Sequence, residues 1–118
     1  MATGPEELRS RTKQFAIRVV RLYNSLPYRG AAQVLGKQLL RCGTSIAANY
    51  RAACRARSRA EWIAKIGIVV EEADESVFWL EMLCECQIVS PDKLADILKE
   101  AHELTALFTA SQKTARGK

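Results

Sequence analysis

Between Leu8 and Ala60 the chain has no aspartate or glutamate, although the same stretch carries twelve lysines and arginines. From Glu61 to Glu103 the balance reverses, with eleven acids against Lys65, Lys93 and Lys99. The two stretches carry +12 and −8, an asymmetry that the net charge of +5 conceals. Such a split fits an anionic ligand on the first half, or the two halves meeting each other within or between subunits.

Other shortages narrow the function classes. The only histidine is His102, and Lys99 stands where the glutamate of a Glu-x-x-His di-iron motif would have to be. The acidic run Glu71, Glu72, Asp74 and Glu75 is therefore not expected to hold a metal. His102 lacks a G-x-S-x-G, Cys-His or paired-carboxylate context for nucleophilic or acid–base chemistry, and no glycine-rich loop exists to cradle phosphates. The expectation is a protein that is not an enzyme and uses no cofactor. Cys42, Cys54, Cys84 and Cys86 lack CxxC spacing and each falls inside a helical pattern, so they read as reduced packing thiols. Apolar runs are short and broken by charge, and the N-terminus lacks the apolar block of a signal peptide, so no membrane association is expected and the cytoplasm is the default location.

What is present is helical periodicity. With 118 residues, 48% of them apolar and 26% charged, the chain is long enough for one domain around one modest core. After a loose start over Met1 to Pro5, helix one is expected at about 6–26, with Leu8, Phe15, Val19, Leu22 and Leu26 recurring up to the break at Pro27. The short linker that follows makes helix two, about 31–55, double back, and Gly43 inside it marks a close helix contact. Ser58-Arg59-Ala60-Glu61 reads as a capping box, the serine accepting a backbone N–H and the glutamate returning to the cap's own N–H. It opens helix three, about 59–87, whose buried face is Trp62, Ile66, Val69, Ala73, Val77, Leu80 and Cys84. The Ser90 hydroxyl as a cap and Pro91 at the first helical position open helix four, about 91–110, with Leu94, Ile97, Ala101, Leu104 and Phe108 inward and a polar, basic tail over 111–118. The fold class is all-α, an antiparallel up-down-up-down four-helix bundle.

The stretch from Lys37 to Arg59 concentrates the candidate binding residues. Wound at about 100° per residue, it puts Lys37, Arg41, Arg51, Arg55 and Arg59 within about 40° of one line, opposite Leu39, Cys42, Ile46 and Ala53. This stripe can neutralise the phosphates of RNA or DNA, giving salt-dependent and largely sequence-independent affinity. It can equally be a solvated or intersubunit ion-pair surface facing helix three. Tyr50 is the one aromatic near it, which argues against single-strand readout by base stacking. Ser45 and Asn49 lie at the edge of the buried face, where polar groups must be satisfied. Asn49 is expected to be a structural link to helix one or three that sets bundle register, ligand contact being the alternative.

On helix three, Phe78 falls among Glu71, Asp74, Glu81 and Glu85, away from the core face, and Ile68 lies off that face too. Apolar residues in such a setting call for a cover, and with Trp79 and the opposed charges of helices two and three they point to self-association. The expected oligomer interface comprises Ile68, Glu71, Asp74, Glu75, Phe78 and Trp79.

Gln38-Leu39-Leu40-Arg41, Thr44-Ser45-Ile46-Ala47-Ala48-Asn49-Tyr50-Arg51, Ala56-Arg57-Ser58, and Glu71-Glu72-Ala73-Asp74-Glu75-Ser76 followed by Phe78-Trp79-Leu80 resemble the four-helix bundle proteins encoded in intervening sequences of 23S ribosomal RNA genes. The resemblance covers about Phe15 to Phe108. That family is similar to the accessory proteins of diversity-generating retroelements, which implies a homopentameric ring of four-helix bundles with a basic surface able to engage nucleic acid, and no catalysis. Most members carry a glutamate three residues after the motif asparagine; here that position is Ala52, which leaves this side of helix two more positive.

Overall fold

Four helices account for nearly all of residues 4–117, the part of the chain that this computed structural model describes: α1 (Pro5–Asn24), α2 (Gly30–Cys54), α3 (Arg59–Glu85) and α4 (Pro91–Arg116). Met1 to Thr3, expected as a loose start, and Lys118 lie outside the described residues. Segments 25–29, 55–58 and 86–90 are too short to carry the chain far, so each helix returns along its predecessor. The molecule measures 46 × 25 × 22 Å, about one long helix in length and two in width. Contacts are richest between α2 and α3, ample between α1 and α2 and between α3 and α4, and sparsest between α1 and α4. The all-α bundle matches the expectation, with no strand among the described residues.

The buried stripe of each helix follows the 3.6-residue period. Phe15, Val19, Leu39, Ile46, Ile66, Val69, Leu80, Leu104 and Phe108 are essentially excluded from solvent. Tyr50 and Phe108 meet across the core with ring centroids 5.0 Å apart, joining α2 to α4. Leu22, Trp62 and Cys84 are only partly covered. Each lies near a helix end, where neighbouring helices no longer surround it. The close contact expected at Gly43 is against Val19 of α1.

The helix ends depart from expectation in three ways. At α3 the Ser58 hydroxyl accepts the Glu61 N–H at 3.0 Å, but Glu61 Oε1 accepts from the Arg57 N–H at 3.0 Å and not from that of Ser58 itself. At α4 the Ser90 side chain caps nothing; its carbonyl takes the Lys93 N–H at 3.1 Å, and Pro91 removes a donor that would otherwise need a partner. The expected tail is also corrected, since α4 continues as helix through Arg116. Contacts that a polar sequence does not advertise hold it there: Gln112 donates to the Ile63 carbonyl at 3.4 Å, and Arg59 Nε donates to the Ala115 carbonyl at 3.1 Å.

Part of the charge asymmetry is resolved inside the chain. Arg11 of α1 forms a two-pronged pair with Glu100 of α4 at 3.0 and 2.7 Å and reaches Glu103 at 3.0 Å, bridging the least-packed seam of the bundle. Two parallel N–H···O bonds fix the relative position of the two helices better than a single contact would. No helix of the described residues is long and apolar enough to cross a membrane. Among the described residues no group of histidine, cysteine and acidic side chains is arranged to hold a metal ion.

Candidate nucleic-acid interface

The antiparallel pairing of α1 and α2 sets the first turns of α1 beside the last turns of α2. On α1, Arg9 and Lys13 flank the buried Leu8 and Thr12, so their side chains emerge at the edge of the core stripe. At the end of α2, Arg51 follows the buried Tyr50, and Arg55, which caps the helix, follows the half-buried Cys54. The carbonyl end of α2 carries partial negative charge, which favours cations there.

Between these edges runs an open groove of about 830 Å³, lined by Arg9, Ser10 and Lys13 from α1, by Thr44, Ala47, Ala48, Arg51 and Cys54 from α2, and by Arg55, which caps α2. Its floor is made of small side chains because α1 and α2 pack closely, and its rim is made of long cationic ones. No carboxylate lines it, and none of Arg9, Lys13, Arg51 and Arg55 forms an ion pair with another described residue. The Tyr50 ring lies under the groove, in the core. Burial, and next the Cys54 thiol beside its hydroxyl, push its ionisation above the usual tyrosine value, while Arg9 pulls the other way.

The stripe expected along Lys37 to Arg59 therefore divides. Arg51 and Arg55 face α1 and join the groove. Arg41 turns to α3, pairing with Glu72 at 3.4 Å and with Glu75. Arg59 is not on the helix-two wheel at all: α2 ends at Cys54, and Arg59 begins α3, where it binds the Ala115 carbonyl. Lys37 is exposed two turns from the start of α2, about 21 Å along the axis from Arg51. Arg9 and Lys13 do not stand out on any single helix of the sequence. Their one-turn spacing and the acid-free run from Leu8 were visible, but their meeting with Arg51 and Arg55 depends on the antiparallel register.

Asn49 does not link α2 to helix one or three, correcting the expectation. Its Nδ2 donates back within α2, to the Ser45 carbonyl at 3.0 Å and the Ser45 hydroxyl at 2.7 Å. A side chain four residues on lies directly over that carbonyl, so the amide finds a partner without crossing to another helix. Ala52, at the position of the expected glutamate, is half-buried and is not part of the groove lining.

On α3 the expected interface residues fall into two sets. Ile68, Glu71, Asp74 and Phe78 are exposed, Phe78 by half its surface. Trp79 is partly covered and packs edge-on against Phe78, with centroids 4.8 Å apart and an interplanar angle of 76°. Glu75 is engaged inside the chain, accepting from Arg41 and from the Trp79 indole N–H at 3.2 Å. All four cysteines are free thiols; Cys42 is buried and Cys86 exposed.

Residues 7–110 match the family described as 23S rRNA-intervening sequence protein. The chain belongs to that family. A solved structure similar to this family member is a protein of unknown function from the S23 ribosomal protein family of Bacteroides thetaiotaomicron. The two share 35% identity with a TM-score of 0.86, over 92% of this chain and 97% of the other. Among curated proteins none matches this chain. The family match takes in most of all four helices, and the groove and the α3 face both lie within it.

Proposed function

We propose that this protein is a non-catalytic, cytoplasmic accessory or assembly factor that associates with RNA or DNA through backbone phosphates and works as a homo-oligomer, a pentameric ring of four-helix bundles. The observation that carries the nucleic-acid reading is the groove between α1 and α2, where Arg9, Lys13, Arg51 and Arg55 converge with no carboxylate among the lining residues. A cation that is not neutralised within the fold is available to release counterions from a polyanion. The name of the family, which refers to 23S rRNA, supports the same reading. In a ring, copies of a modest cationic groove act together, so weak patches sum to useful affinity.

Gel retardation of generic RNA and DNA at low salt tests this. Binding that weakens with salt and is lost in the Arg51→Glu/Arg55→Glu variant is expected; binding unchanged in that variant, with the oligomer intact, refutes the role of the groove. Light scattering tests the assembly, and a 13.2 kDa monomer as the sole species refutes it.

A second reading has its own observation. Phe78, half exposed and edge-on to Trp79 among acids, suits a protein-binding or purely structural ring without a nucleic-acid ligand. A partner lost on Phe78→Ala, from protein whose absorbance ratio at 260 and 280 nm shows no co-purifying nucleic acid, would favour it.

A further inference from the structure

We infer that the groove between α1 and α2 holds a single strand of RNA or DNA in preference to a duplex, with neighbouring phosphates lying between the Arg9/Lys13 row and the Arg51/Arg55 row. This rests on the nucleic-acid reading above and specifies the form of the ligand.

The first ground is spacing. Each row has two cations one helical turn apart, about 6 Å along the axis, and the axes of packed helices stand about 8–10 Å apart. The cations thus face each other in pairs across a narrow channel, a geometry that surrounds one backbone. A duplex displays two backbones on the outside of a wide cylinder, separated by a major groove about 12 Å across. A duplex meets the rows only from outside, with its phosphates fixed to a rigid cylinder, whereas a flexible single strand can lay one backbone between both rows.

The second ground is the floor. Ser10, Thr44, Ala47 and Ala48 leave the space of about 830 Å³ open below the cationic rim, large enough for a short stretch of one strand to descend. A duplex cannot enter it. Thr44 already donates its hydroxyl hydrogen to the Leu40 carbonyl at 2.7 Å, so the floor offers that oxygen as an acceptor, not a donor, and phosphate binding falls to the cations.

The third ground concerns the bases. No aromatic ring lines the groove, since Tyr50 is committed to Phe108 in the core. Stacking platforms, which normally give single-strand proteins their grip on bases, are missing. The strand is therefore gripped by its phosphates with its bases turned outward, and homopolymers of different base should bind alike.

Fluorescence anisotropy with short labelled homouridine, homoadenosine and homothymidine strands and a blunt duplex of equal length tests the inference. Three proteins are compared: wild type, Arg9→Glu/Lys13→Glu, and a control of equal charge change outside the groove, Arg21→Glu/Arg29→Glu, each checked for helicity by circular dichroism. The wild type should bind all single strands within a few-fold of one another and the duplex about tenfold more weakly. Four phosphates neutralised per groove predict a log–log salt slope of about −3 per protomer for a single strand, falling by about half in the Arg9/Lys13 variant. That variant should lose about tenfold or more in affinity while the control keeps most of its own. Duplex binding as tight as single-strand binding, or an Arg9/Lys13 variant no weaker than the control, overturns the inference and leaves the broader nucleic-acid reading standing. Failure of every probe to bind the wild type overturns both.

Discussion

Gly43 of α2 lies hard against Val19 of α1: a methyl group added at the glycine would stand 2.8 Å from Val19 Cγ2 and 3.0 Å from Cγ1. This contact brings the two helices of the cationic groove together. Replacing glycine by alanine inside a helix ordinarily gains about 1 kcal/mol. Here the new methyl meets a β-branched side chain, buried and held in one rotamer, that cannot swing away. Overpacking of this kind costs about 1–3 kcal/mol. Gly43→Ala is therefore expected to lower the urea midpoint, and Val19→Ala/Gly43→Ala to be more stable than the sum of the single changes predicts, a coupling that a double-mutant cycle measures directly.

Gln87 supplies a second prediction. It follows α3 with φ of 61°, and it is the one non-glycine residue of positive φ among those described. The Gln87 N–H donates to the Cys84 carbonyl at 3.0 Å and the Ile88 N–H to the Leu83 carbonyl at 3.0 Å, the paired bonds of a Schellman ending. Glycine normally occupies this left-handed position because a Cβ there costs about 1–2 kcal/mol. Since the Gln87 side chain is exposed and forms no hydrogen bond with another described residue, Gln87→Gly removes strain without removing a contact. The expected outcome is a gain of about 1 kcal/mol in chemical denaturation, with α3 and α4 unchanged.

The helices and their inward faces were legible because burial selects residues at one period along each segment, and Phe15, Val19, Ile66 and Phe108 obey it. What the sequence hid depends on contacts between segments or on choices within a turn. The end of α4 is polar by composition, yet Gln112 and Ala115 bind the start of α3, so tertiary bonds extend the helix beyond its amphipathic portion. Asn49 lies near the buried edge on a helical wheel, but a wheel does not reveal that the Ser45 carbonyl is the nearer acceptor. The single stripe of cations failed as a unit because α2 stops before Arg59 and because Glu72 and Glu75 capture Arg41. Two of the groove's four cations lie on α1, and only the antiparallel register puts Arg9 and Lys13 opposite Arg51 and Arg55.

Tyr50 makes the fold sensitive to alkali. Its phenol, 4% exposed, ionises above the usual value of 10.0, chiefly because burial penalises the phenolate and next because of the Cys54 thiol. Burial likewise pushes the Cys42 thiol above its usual 9.0, opposed by a hydrogen bond with Ser76. Below the unfolded values both groups are protonated in folded and unfolded chains, and their contribution to stability is complete. As the pH rises past 9.0 and then 10.0, the unfolded chain releases these protons while the folded chain retains them. Stability must then fall with rising pH, by at most about 1.4 kcal/mol per pH unit for each group. Urea midpoints measured from neutral pH into the alkaline range should hold level and then decline. Tyr50→Phe keeps the ring on Phe108 and removes the titrating hydroxyl, so its decline should be shallower than that of the wild type above pH 10. Parallel curves for the two proteins would exclude Tyr50 as a source of the alkaline loss.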